Sequence, residues 1–324
     1  MTRVGAAISR VVASAAAAGA VLALSAPRLA GQTPDALAEA CVGQGGSAAA
    51  CAASATAGQA LQGHLGLLGG LGSEVSGTAT TLGTRIEGGP RFALAARMGG
   101  VDMDLPDLAR GSGSGSDGAL AWAIHADLTL GLFDGFQLMP TVGGFLSIDA
   151  FGRAAFLFLP SSLGFDGNTS AYTAGVRVGV FREGFTIPGV SVSVSRRFVG
   201  AVDLGGADEA TSVRVDPTVT SYRATVGKDL FAVEWLAGMG WEDYGGDVRV
   251  TVPDGLGGSV AATEEVTSSR RIYFASASMT FSIILNVALE AGWAEGFGPV
   301  AAYDGSFDPS SGTPFGSLSM RLIL

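Results

Sequence analysis

From about residue 90 to Leu324, apolar side chains recur at every second position and charged side chains keep to the opposite face. A period of two is the signature of β-strands, whose successive side chains point to opposite sides. Ten segments carry it: 90–98, 119–131, 143–158, 170–182, 189–199, 218–228, 230–242, 270–281, 282–295 and 315–324. In Val190-Ser191-Val192-Ser193-Val194-Ser195 the valines share one face and the serines the other. Most segments exceed the roughly 9–11 residues that a tilted strand needs to cross a bilayer. Mid-strand charges fall opposite the apolar stripe at Arg91, Arg97, Asp127, Asp149, Arg153, Arg177, Arg223, Glu234, Glu290 and Arg321. A charge on a lipid-facing surface costs about 2–4 kcal/mol at mid-membrane, so its exclusion from one face is what lipid contact demands. Arg196 and Arg271 break the parity, and both sit at strand ends where headgroups tolerate charge.

The connections alternate as well. Those after odd segments are long (99–118, 159–169, 200–217, 243–269, 296–313), and those after even segments are mostly shorter. An up-and-down barrel with long loops on one side and tight turns on the other has this pattern, which a soluble sandwich has no reason to show. The expectation is an all-β, up-and-down antiparallel transmembrane β-barrel of about ten strands over residues 89–324, or twelve if 243–269 adds a hairpin. Its ten inward charges would line the lumen. Trp122, Tyr172, Tyr222, Trp241, Tyr273 and Trp293 are candidates for interfacial girdles.

Composition supports this reading. Only 15% of residues are charged while 48% are apolar, and 50 are Gly. Residues 1–30 read as a signal peptide, with Arg3 and Arg10 before an Ala/Val/Leu core at 11–24 and cleavage between Ser25 and Gly31. Residues 31–88 form an Ala/Gly-rich extension, periplasmic or entering the lumen, with a helix start at Thr33-Pro34-Asp35. The stretch from Gly63 to Gly72 is too rich in glycine to read as helix with any firmness. In an oxidising compartment Cys41 and Cys51 are expected to form a disulfide. A net charge of −10 argues against a nucleic-acid partner. No phosphate-binding glycine motif occurs and the only histidines are His64 and His125, so no cofactor or metal is expected. His125 and Asp127 share an inward face, but no serine pattern supplies a nucleophile, and an enzyme is not expected. Asp243, Asp247, Asp254, Glu242, Glu264 and Glu265 read as a solvated acidic loop.

The C-terminal stretch Phe315-Gly316-Ser317-Leu318-Ser319-Met320-Arg321-Leu322-Ile323-Leu324 is similar to the terminal-strand signal read by the barrel-assembly machinery, with Leu324 where the usual aromatic stands. With the signal peptide and strands, the chain resembles the general bacterial outer-membrane β-barrel class. Ser73 to Arg97 is similar to N-terminal regions of FadL-like transporters of hydrophobic compounds, although residues 89–324 are too few for that family's larger barrel. The resemblance implies the outer membrane, contact with its lipid, the assembly machinery as partner, and both termini in the periplasm. Either the inward charges pair and close the lumen, or small residues around them leave a narrow polar passage. The first outcome gives a structural or surface-binding barrel acting through loops 200–217 and 243–269. The second gives porin-like passage of small solutes or apolar compounds, which is the expected function, with the solute unread.

Overall fold

The computed structural model describes residues 32–84, 89–108, 116–137, 143–185, 187–205, 210–281 and 284–324. The expected signal peptide lies outside the described residues. Ten strands close into one antiparallel barrel: β1 (Arg91–Pro106), β2 (Ser116–Phe133), β3 (Ser147–Phe158), β4 (Thr169–Phe181), β5 (Gly189–Val199), β8 (Thr218–Leu230), β9 (Val233–Gly245), β12 (Ser268–Phe281), β13 (Leu285–Ala294) and β14 (Thr313–Ile323). Each pairs with the next, and β14 returns to β1 with Ala93 opposite Ile323 and Val101 opposite Phe315. Closure leaves no strand edge unpaired, which is what permits strands to cross a membrane.

The remaining strands, β6 (Val202–Leu204), β7 (Ser212–Val215), β10 (Asp247–Pro253) and β11 (Ser259–Glu265), form a separate four-stranded sheet at the long-loop end. Residues 243–269 thus do contain a hairpin, but it joins this sheet and the barrel keeps ten strands. Alternation explains the sheet: Val213, Val215, Val248, Val250 and Val252 are buried, while Arg214, Asp247 and Arg249 face solvent.

The extension holds two helices, α1 (Pro34–Gly43) and α2 (Ala48–Gly70). Pro34 occupies the first turn of α1, where its missing N–H costs nothing. Ser47 caps α2, its hydroxyl accepting from the Ala50 N–H at 3.3 Å. Every residue of α2 from Ala50 to Gly70 is buried, because the helix runs down the barrel axis. The glycines that weaken a free helix serve here as points of close approach. At Gly66 a β-carbon would press into the Tyr244 ring. The wall thus overrides propensity, and the helix continues through the stretch whose glycines argued against it.

One departure from the expected strand limits shows how the surroundings set the pattern. β1 runs on past Gly99-Gly100 to Pro106. In its lower part Phe92, Leu94 and Met98 point outward while Arg97 points in. Above Gly100 the polarity inverts: Val101, Met103 and Leu105 are buried against α2, and Asp102 and Asp104 face out. The alternation is unbroken, but lipid gives way to water outside and polar lumen to helix inside.

Placing an arginine at Val176, on the outer face of β4, should lower the folding free energy in lipid vesicles by about 2–4 kcal/mol. Urea titration of the refolded Val176→Arg protein measures this, and a difference within error would mean that the face is not in lipid.

Candidate functional site: the occupied lumen

All ten charged residues expected to line the lumen lie on the inward face of their strands. Arg91 sits at the open short-turn rim, and the other nine lie deeper. What they line is not an open passage among the described residues. Residues 48–84 of the extension occupy the interior, and every residue from 50 to 79 is buried.

The inward charges hold the backbone of this inserted segment. A helix C-terminus leaves carbonyls without intrahelical donors and carries a partial negative charge. At the end of α2, Arg153 donates to the Gly70 carbonyl and Arg97 to that of Leu71. One turn earlier Arg197 donates to the Gly66 carbonyl at 2.6 Å, and above it Arg270 donates to that of Gly63 at 2.7 Å. Beyond the helix the chain descends without regular structure. Arg97 reaches the Ser73 carbonyl (2.9 Å), Arg153 that of Glu74 (3.0 Å), and Arg177 those of Thr78 (3.1 Å) and Thr80 (2.9 Å). Carboxylates take the amides: Glu290 accepts from the Ser73 N–H (3.0 and 3.1 Å) and Asp149 from the Leu82 N–H (3.0 and 3.2 Å).

The same groups pair with one another. Asp127 bridges to Arg153 at 2.7 Å and Arg97 at 3.5 Å, and Asp149 to Arg177 at 2.7 Å. Glu242 joins Arg223 at 2.9 Å and Arg197 at 3.3 Å, and accepts from the Tyr244 hydroxyl. Gly72 sits where this network is tightest: its φ is +56°, and a β-carbon would overlap the Glu290 carboxylate. Near the short-turn end, the Thr81 and Ser147 hydroxyls lie 2.6 Å apart.

Five members of the network were outside the sequence-derived set: Glu74, Arg197, Glu242, Tyr244 and Arg270. Arg197 follows from parity, since it shares the face of Ser191, Ser193 and Ser195 beside the conspicuous outward Arg196. Glu242, expected in the solvated loop, is fully buried in the lumen because β9 continues to Gly245 and keeps it in phase with Glu234. Glu74, which accepts from the Ser195 hydroxyl at 2.9 Å, carried no such signal because it lies on the inserted segment itself. The His125–Asp127 pairing does not form: Asp127 is held by the two arginines, and both ring nitrogens of His125 are buried with no hydrogen-bond partner.

At the two rims the picture differs. The expected disulfide forms, with Cys41 and Cys51 at a Cα separation of 5.7 Å, and it ties α1 to α2 at the long-loop end. Gln32 also lies at that end, paired with Val266, whereas Leu324 bonds with Phe92 at the short-turn end. The described chain ends are therefore on opposite sides, not on one side as expected, because the extension spends its length crossing the lumen. At the short-turn end, Asp134 accepts from the Thr84 N–H (2.9 Å), the Thr84 hydroxyl and Arg182 (3.0 Å). Partial desolvation pushes its carboxyl up, but the Thr84 bonds and Arg182 together hold it below the usual aspartate range.

Outside, the wall is apolar, and Trp122, Tyr172, Tyr222, Trp241, Tyr273 and Trp293 all face outward in the half nearer the long loops. Arg196 and Arg271 point outward among them, Arg271 over the Trp241 ring at 4.6 Å. A closed wall, apolar without and polar within, decides the class. The architecture is that of bacterial outer-membrane β-barrels. No protein-family model and no curated protein matches the sequence. Solved structures similar to this chain include the outer membrane protease OmpT of Escherichia coli, at 9% identity and TM-score 0.40 over 72% of this chain and 96% of that one. An outer membrane channel of Pseudomonas putida F1 matches at 10% identity and TM-score 0.36, covering 77% and 99%. The attachment invasion locus protein Ail of Yersinia pestis matches at 8% and 0.27, covering 72% and 99%.

Two measurements check this description. Arg177→Ala would leave Asp149 buried without its cation, and should cost about 3–5 kcal/mol in urea unfolding. For Asp134, a depressed folded pKa means that its stabilisation is complete above the ordinary aspartate value and is lost as pH falls through the folded one. Unfolding midpoints of wild type and Asp134→Asn should therefore differ most near neutral pH and converge on acidification.

Proposed function

We propose that this protein is a closed outer-membrane barrel, plugged by its own N-terminal segment, whose working surface is the cap at its long-loop end. The observation that carries this reading is the use of the lumen charges: arginines and carboxylates that could line a pore are bound to the backbone of residues 63–82 instead. Long loops face outward and short turns face the periplasm in barrels of this kind, so the four-stranded sheet, α1 and loop 296–312 would face the medium. Outer-membrane lipid would contact the apolar wall, and β14, with its alternating end, would be the segment handled by the assembly machinery.

One observation favours passage as a second reading. Residues 71–84 have no helix or strand longer than a single bridge, and polar groups hold them. Bonds of this kind, each with one charged partner, contribute about 1.5–3 kcal/mol each, net of exchange with water, so for this stretch to move aside under α2 and admit a small solute, water in the opened lumen would have to replace them. Single-channel recording in a planar bilayer separates the two readings. The closed reading expects stable insertion without conductance steps. Steps that disappear when a Thr81→Cys/Ser147→Cys pair is oxidised would establish a movable plug and a transport role. Steps that persist after oxidation would contradict plugging by this segment altogether.

A further inference from the structure

The chain crosses the barrel twice before it completes its first hairpin. β1 starts at the short-turn end, yet Gln32 lies at the opposite end, where its carbonyl accepts from the Thr267 N–H at 2.9 Å and its own N–H donates to Glu265 at 2.9 Å. Between these points α2 and residues 71–84 run the length of the lumen. At the long-loop end α1 lies beside α2, joined to it by the Cys41–Cys51 bridge. Leu37, Ala38 and Cys41 are buried, the Asp35 carboxylate accepts from the Ala301 N–H at 2.7 Å, and Glu39 and Val42 remain exposed.

This hairpin cannot slide through the barrel. One helix with its side chains is about 10–12 Å across, and a packed pair adds a second axis about 8–10 Å away. The lumen admits α2 where Gly63, Gly66 and Gly70 bring its backbone against Phe297, Tyr244 and Arg197 with no room for a β-carbon. Residues 32–47 must therefore reach the far side before α1 packs on α2 and the Cys41–Cys51 bridge closes. We infer that residues 32–47 are displayed on the outer surface of the cell, as part of the same cap as β6, β7, β10 and β11. The N-terminal segment is then both a plug and a surface element, delivered outside by being threaded through its own barrel. This rests on the orientation proposed above, with the long loops facing outward.

Labelling of intact cells with a membrane-impermeant maleimide tests both parts separately. Three variants of the full chain are needed: Glu39→Cys on α1, Leu256→Cys at the β10–β11 turn, and Phe231→Cys at the β8–β9 turn, each exposed in the fold. Display predicts that Glu39→Cys and Leu256→Cys label on intact cells to the same extent, and Phe231→Cys only after lysis. Glu39→Cys labelling only after lysis, with Leu256→Cys labelled on intact cells, would overturn display and leave the orientation standing. Labelling of Phe231→Cys but not Leu256→Cys on intact cells would overturn the orientation itself. Because an added cysteine can exchange with Cys41 or Cys51, an epitope inserted after Gly43, which has open space around it, gives a second readout. Antibody binding to intact cells supports display, and binding only after lysis, with the protein migrating as a folded barrel, overturns it.

Discussion

Seven arginines are buried inside the barrel among the described residues: Arg97, Arg153, Arg177, Arg197, Arg223, Arg270 and Arg321. Removing a guanidinium from water costs several kcal/mol unless its donors find acceptors. Carboxylates on neighbouring strands supply some of these, but each arginine has five donors in a planar fork and cannot be satisfied by one carboxylate. For Arg97, Arg153, Arg177, Arg197 and Arg270 the further acceptors are backbone carbonyls, and they come from a chain segment with no reason of its own to enter the lumen. Barrel and plug therefore depend on each other. The wall has an interior too polar to be packed with apolar side chains. The extension has an Ala/Gly composition too bland to fold alone, and it offers the carbonyls and narrow profile that this interior accepts.

The direction of the helix follows from the same constraint. Its C-terminus points into the arginine-rich middle of the lumen, where Arg153 and Arg97 take its last carbonyls. Its N-terminus emerges among the valines of the cap, where Ser47 caps it and the disulfide fixes the neighbouring helix. Reversing the helix would set its unsatisfied N–H groups against guanidinium groups. The glycines of α2 and the arginines of the wall are thus two halves of one interface.

Much of the fold was legible because lipid imposes a strict rule. The exclusion of charge from one face located all ten barrel strands, and β5 matched at both ends, Gly189 and Val199. The rule fails where lipid ends. The upper half of β1 was missed because Val101, Met103 and Leu105 turn inward toward α2 while Asp102 and Asp104 turn outward to water. The hairpin in 243–269 could be suspected from its alternating valines, but not its allegiance, since the same period serves a sheet on a barrel and a strand within one. The inward facing of the ten charges follows from parity, but what they bind does not. Backbone carbonyls have no sequence signature, and a segment of alanine, glycine and serine reads alike whether it is a spacer or a plug. Arg197 and Arg270 were recoverable by counting parity, whereas Glu74 required knowing that its segment lies inside.

The central claim is that residues 71–84 are an integral part of the barrel interior. Amide hydrogen exchange of the protein refolded in lipid vesicles tests it most directly. Ser73 and Leu82 donate their N–H groups to Glu290 and Asp149, so both should exchange as slowly as amides in the middle of the barrel strands. Exchange at these two positions as fast as in an unstructured peptide, with the strands still protected, would show an unfilled lumen and contradict the account.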